Sequence, residues 1–217
     1  PYAACNFIGK ALHNYRYERI GRGGDPDDEN YLYIKDLIGS QFQEEEGYWG
    51  GSEADHINRT SGNMKMLTTY AVLDWEIPNP KKIMDFILSG ANDEMGFAGA
   101  GCSAFNQMAS LCITRFKYPE LSNYRSEEIE RYSAMTFMTF LDNWSEETNF
   151  YGDTWLGKHN NGVVVNMATL LLDLPLQRAS TIYNWRDGPI IFRQSDGKII
   201  RNQVIYQLKG HAFAGGG

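Results

Sequence analysis

Three glycine-aromatic loops, each followed by an apolar stretch of helical period, recur at intervals of roughly fifty residues, and this repeat limits the possible folds more than any other feature. The loops read "GYWGG" at 47–51, "MGFAGAG" at 95–101 and "FYGDTWLG" at 150–157. The stretches that follow echo one another. His56-Ile57-Asn58 with Asn63-Met64 and Leu67 lines up, at a constant offset of 103, with His159-Asn160-Asn161 and Asn166-Met167 and Leu170. The middle copy, "FNQMASL" at 105–111, keeps the Asn, Met and Leu character. A unit of this length that ends in an apolar helix cannot bury that helix alone, so successive units must stack.

Apolar spacing and the punctuation by Gly, Pro and Asp predict helices near 2–18, 28–42, 62–76, 80–90, 102–116, 125–142, 162–173 and 176–186. Segments such as "NMKMLTTYAVLDW" and "VVVNMATLLLDL" are apolar nearly all round, whereas "RSEEIERYSAMTFMTFLDNW" carries charge on one side. Buried helices therefore alternate with amphipathic ones. From residue 188, β-branched runs flank Ser195-Asp196-Gly197, the pattern of a hairpin. The expected organisation is a helical domain over 1–187 and a β-hairpin appendage, or the start of a further domain, over 188–217.

The chain has 217 residues, enough for one sizeable core. A net charge of −7 argues against a general nucleic-acid or anionic-membrane binder, which needs a basic field. No apolar run approaches the ~20 residues of a membrane span. The first residue is Pro1 rather than Met, so a processed start is expected; the compartment stays open, with a secreted or periplasmic setting favoured over the cytoplasm. Cys5, Cys102 and Cys112 lack CxxC spacing. Cys102 and Cys112 share one expected helix about 15 Å apart, too far to bridge, so reduced thiols are expected.

Alternating outer and inner helices, with glycine-aromatic loops feeding the inner ones, resemble the α/α-toroid superfamily of terpenoid cyclases, protein prenyltransferases and many glycoside hydrolases and polysaccharide lyases. The residues that carry the likeness are Gly47-Tyr48-Trp49-Gly50-Gly51, Gly96-Phe97, Tyr151-Gly152 and the helices after them, over about residues 28–186. Full toroids usually hold five or six hairpins, and this chain has three clear ones with flanking helices. The resemblance implies that the loops at 47–62, 93–106 and 150–162 line one mouth of a central cavity, with inner-helix N–H groups pointing into it.

At that mouth, Asp55, His56, Asn58 and Arg59 offer a tautomer-fixing acid, a group that titrates near neutrality and two carboxylate- or oxyanion-holding side chains. The competing reading is local: Asp55, or Thr60 and Ser61, caps a helix while His56 and Asn58 brace a loop. Asp153, His159 and Asn160 form the corresponding cluster in the third repeat. The likeness to toroid lyases implies proton transfer by His56 or His159 and Tyr151, with Asn58 and Arg59 neutralising charge. A hydrolase would use a carboxylate pair, for which Glu53, Asp55, Asp93, Glu94 and Asp153 are available. Tyr48, Trp49, Asn106 and Trp155 complete the expected substrate contacts.

The acidic motifs of terpenoid cyclases and the zinc ligands of prenyltransferases are absent, and no His spacing favours a metal, so no cofactor is expected. Cys102, at a helix N-terminus, is either a nucleophile or a small packed residue. The expected function is thus a carbohydrate-active hydrolase or lyase with its site at the barrel mouth. The alternative is a helical module that binds carbohydrate or protein without chemistry. Expected partners are a saccharide or other small polar ligand, with no nucleic acid and no membrane, and further domains or subunits beyond this chain.

Overall fold

The computed structural model describes residues 2–99, 101–142, 144–145 and 150–151, and these are mainly helical. Helices α1 (Tyr2–Gly21) and α2 (Glu29–Ser40) lead to the strands β1 (Phe42–Gln43) and β2 (Tyr48–Trp49) and then to α3 (His56–Val72). The order repeats with α4 (Pro80–Leu88), β3 (Ala91–Asn92), β4 (Gly96–Phe97) and α5 (Cys102–Lys117). After a 3-10 turn at Pro119–Leu121 come α6 (Ser126–Asp142) and the strands β5 (Trp144–Ser145) and β6 (Phe150–Tyr151). Each glycine-aromatic segment contributes to a two-stranded antiparallel pair, with Phe42 opposite Trp49, Ala91 opposite Phe97 and Trp144 opposite Tyr151.

Helix α3 packs between α1 and α5, while α4 lies against α3 and α5 and α6 lies against β4 and α5. Burial follows from that placement. Every residue from Thr60 to Tyr70 in α3 and from Ala104 to Arg115 in α5 is buried. A helix enclosed on all sides must satisfy its own hydroxyls, and these return to the carbonyl four residues back. Thr68 donates to Met64 at 2.8 Å, Thr69 to Lys65 at 2.9 Å, Ser110 to Asn106 at 2.7 Å and Thr114 to Ser110 at 2.8 Å. Tyr31, Tyr70 and Trp75 form an edge-on aromatic cluster that pins α2 to the end of α3, with the Trp75 indole donating to the Tyr31 hydroxyl at 3.0 Å.

The glycines of the first two hairpins explain why those positions bear no side chain. Gly47 has φ 81°, and a Cβ there would stand 2.3 Å from the Lys82 carbonyl of α4. Gly96 has φ 79°, and its Cβ would stand 2.4 Å from the Tyr132 carbonyl of α6. Each hairpin thus presses backbone to backbone on the next amphipathic helix, in a conformation that L side chains rarely adopt.

Two expectations need correction. Helix α3 starts at His56 rather than at 62, because Asp55 caps it: the carboxylate accepts the Asn58 N–H at 2.8 Å and turns the polar cluster into the first helical turn. The segments expected as loops hold short strand pairs. The expected helices at 162–173 and 176–186 and the hairpin domain at 188–217 lie outside the described residues. Among the described residues, no helix is long and apolar enough to cross a membrane.

Candidate functional site

The polar cluster at the start of α3 is engaged in holding the chain. Both oxygens of Asp55 accept from Asn58, one from its backbone N–H and the other from its side-chain amide at 2.8 Å; these bonds hold the Asp55 carboxyl below its usual range. Arg59 donates to the carbonyls of Ala54 at 2.6 Å and Ser52 at 3.0 Å, and its guanidinium lies over the Tyr48 ring at 4.8 Å. His56 packs its ring on Phe86 of α4 at 4.6 Å, and its buried Nε2 has no hydrogen-bond partner among the described residues. Burial, then the Arg59 charge, depresses its pKa and keeps the imidazole neutral.

Two of the aromatics expected as a sugar platform, Tyr48 and Trp49, are core residues. Tyr48 is 3% exposed and Trp49 2%, so neither has a face to offer a ligand. Tyr48 stacks on Phe86 at 4.9 Å, and Trp49 sits between Phe42 at 4.8 Å and Tyr70 at 5.3 Å. Of the candidate carboxylates, Asp55 caps α3 and Asp93 pairs with Arg131 at 3.0 Å. The backbone of Tyr151 pairs in β6, while Asp153, Trp155, His159 and Asn160 lie outside the described residues. Among the described residues no three His, Cys, Asp or Glu side chains converge as metal ligands.

Helix α3 has a second face. His56, Arg59, Asn63 and Tyr70 follow helical spacing and look toward β2 and α4, whereas Lys65 stands nine residues past His56, about two and a half turns, and so on the opposite side. Asn58, Ser61, Lys65 and Thr69 share that opposite stripe. Its neighbours are α1 and α5. Asn106 of α5, buried at 4% exposure, donates to the Ser61 hydroxyl at 3.1 Å, and Lys65 lies within electrostatic reach of Cys102 on α5 and Lys10 on α1. The stripe reaches solvent at its Asn58 and Cys102 end, Asn58 being exposed and Cys102 half-buried.

Lys65 is only 7% exposed, and burial drives its pKa down. The same burial pushes the Cys102 thiol up, against the opposing pull of the Lys65 charge, which disfavours a thiolate nucleophile. Cys5, Cys102 and Cys112 are not joined in disulfides. Of the residues expected at the site, Asn106 alone is shown buried on this seam, with Asn58 at its edge. Lys65 was missed, although a lysine inside "NMKMLTTYAVL" is itself the signal, since a charge within an apolar helix is costly.

Comparison with models of known protein families, with curated proteins and with solved structures returned no match.

Proposed function

We propose that the chain is a helical-repeat domain of α/α-toroid type, with α1, α3 and α5 as inner helices, that binds an acidic saccharide at the solvent end of the stripe formed by Asn58, Ser61, Lys65, Cys102 and Asn106. The observation that carries the reading is Lys65, a buried cation set among amide and hydroxyl groups in a protein of net charge −7. Its ammonium gives a carboxylate-bearing ligand a charge-assisted contact, stronger than the same contact made by a neutral donor. The N-terminus of α5, which no side chain caps, adds partial positive charge at the same end. Amides and hydroxyls match the hydroxyl groups of a sugar.

Binding fits the described residues better than catalysis does. The carboxylate and imidazole that general acid-base chemistry would need at this mouth are a helix cap and a half-buried ring packed on Phe86, so catalysis would have to come from Tyr151, Asp153 and His159. A thermal-shift screen of uronic-acid oligosaccharides against neutral ones tests the proposal. A rise in melting temperature confined to the uronic acids supports it, and an equal response to both classes, or to neither, contradicts it.

A further inference from the structure

We propose that His56 is an acid-sensitive latch joining the first turn of α3 to the C-terminal end of α4, released when its imidazole takes up a proton. The latch is built from both helices. The ring packs on Phe86 at 4.6 Å, and a Cβ on Gly90 would stand 2.0 Å from His56 Nε2, so the chain leaves out a side chain just past α4 to admit the imidazole. Nε2 is buried and accepts no hydrogen bond. A neutral ring tolerates that place, but a protonated one carries a charge whose loss of water outweighs what the Ile87 backbone and Asp55 return.

The charges around it offer little relief. From α4 the ring meets the Phe86 side chain, the Ile87 backbone and Gly90. On α3 the charges that act on it are Arg59, which opposes protonation, and Asp55, which favours it and is already engaged by two bonds to Asn58. His56 is also the first residue of α3, where the helix dipole disfavours a cation. The Ile87 backbone, through a hydrogen bond to the ring, favours the proton but does not reverse the effect of burial. Opening is therefore the route by which the charged ring regains water.

The sign follows from the depressed folded pKa. The unfolded imidazole protonates near 6.5 and the folded one lower, so the junction is intact above that pH and loses stability as pH falls from about 6.5 through the folded value. Hydrogen exchange on the full chain at pH 7.5 and 5.5, corrected for intrinsic rates, reads this directly. Amides at 57–61 and 86–90 should lose protection severalfold, with a ceiling of about tenfold for one imidazole of unfolded pKa near 6.5, relative to the middle of α5 at pH 5.5, and His56→Phe should abolish the difference. An equal loss in the variant, or no loss in the wild type, overturns the proposal. If His56→Phe fails to fold, the imidazole resonances of the wild type decide the matter: a midpoint below 6.5 that coincides with the loss of protection supports the latch, and a midpoint at or above 6.5 sinks it.

Discussion

The side chain of Asn63 accepts the backbone N–H of Trp49 at 3.2 Å, and the same amide donates to the Gly47 carbonyl at 2.9 Å. One residue of α3 thereby satisfies two buried backbone groups of the β1–β2 hairpin. Gln107 does comparable work on α5, donating to the Ala98 carbonyl at 2.6 Å. Both residues directly precede the Met-x-x-Leu of their helices, so the amide of the repeat is a clamp that binds each hairpin to the helix it feeds.

Asn63→Leu should destabilise the protein by about 2–4 kcal/mol, because it leaves a buried N–H and a buried C=O without partners. Urea denaturation followed by tryptophan fluorescence measures this. A loss below about 0.5 kcal/mol would mean that the hairpin does not depend on the clamp.

Gly47→Ala and Gly96→Ala should each cost more than about 1 kcal/mol, since both combine a positive φ with a carbonyl closer than 2.5 Å to the added methyl group. Gly39, in the exposed part of α2 with nothing near it, is the control: Gly39→Ala should stabilise by up to about 1 kcal/mol. Melting temperatures of the three variants give the test, and equal effects at all three positions would contradict the packing described.

Trp49→Ala should lose about 3–5 kcal/mol of stability through the cavity it leaves between Phe42 and Tyr70. Trp49→Phe keeps most of the contact and should retain ligand affinity within about twofold. A fall in affinity with stability intact, measured by titration calorimetry, would return Trp49 to a ligand-binding role.

Lys65→Met should raise the melting temperature near neutral pH. The folded pKa of Lys65 is depressed, so the unfolded chain holds its proton more tightly and the buried ammonium weakens the fold below the unfolded pKa of about 10.4. The difference between wild type and variant should therefore shrink as pH rises into that range. Scanning calorimetry between pH 7 and 10 checks both parts.

Much of this architecture was legible because helices announce themselves through period and punctuation. Helix α5 spans Cys102–Lys117 where the pattern put 102–116, and α4 begins at Pro80, where Asn79 supplies the cap and proline the first turn. The first turn of α3 was hidden, since His56-Ile57-Asn58-Arg59 has weak helix propensity and folds as helix through the Asp55 cap. The hairpins were hidden for a different reason: strands of two residues show no alternation to read. At the site, polarity beside glycine looked like function, yet Arg59 and His56 are bound into the junction with β2 and α4. Which face of α3 a polar residue takes is set by its neighbours α1 and α5, and that is decided by tertiary packing.

The most direct measurement is a calorimetric titration of a uronic-acid oligosaccharide into the wild type and into Lys65→Met, with the folded state of each confirmed by melting. The account predicts saturable binding to the wild type, weakened at least about tenfold in the more stable variant, as expected when one charge-assisted contact of about 1.4 kcal/mol or more is removed. Equal binding by both proteins, or none by either, would contradict the placement of an acidic-saccharide site at Lys65.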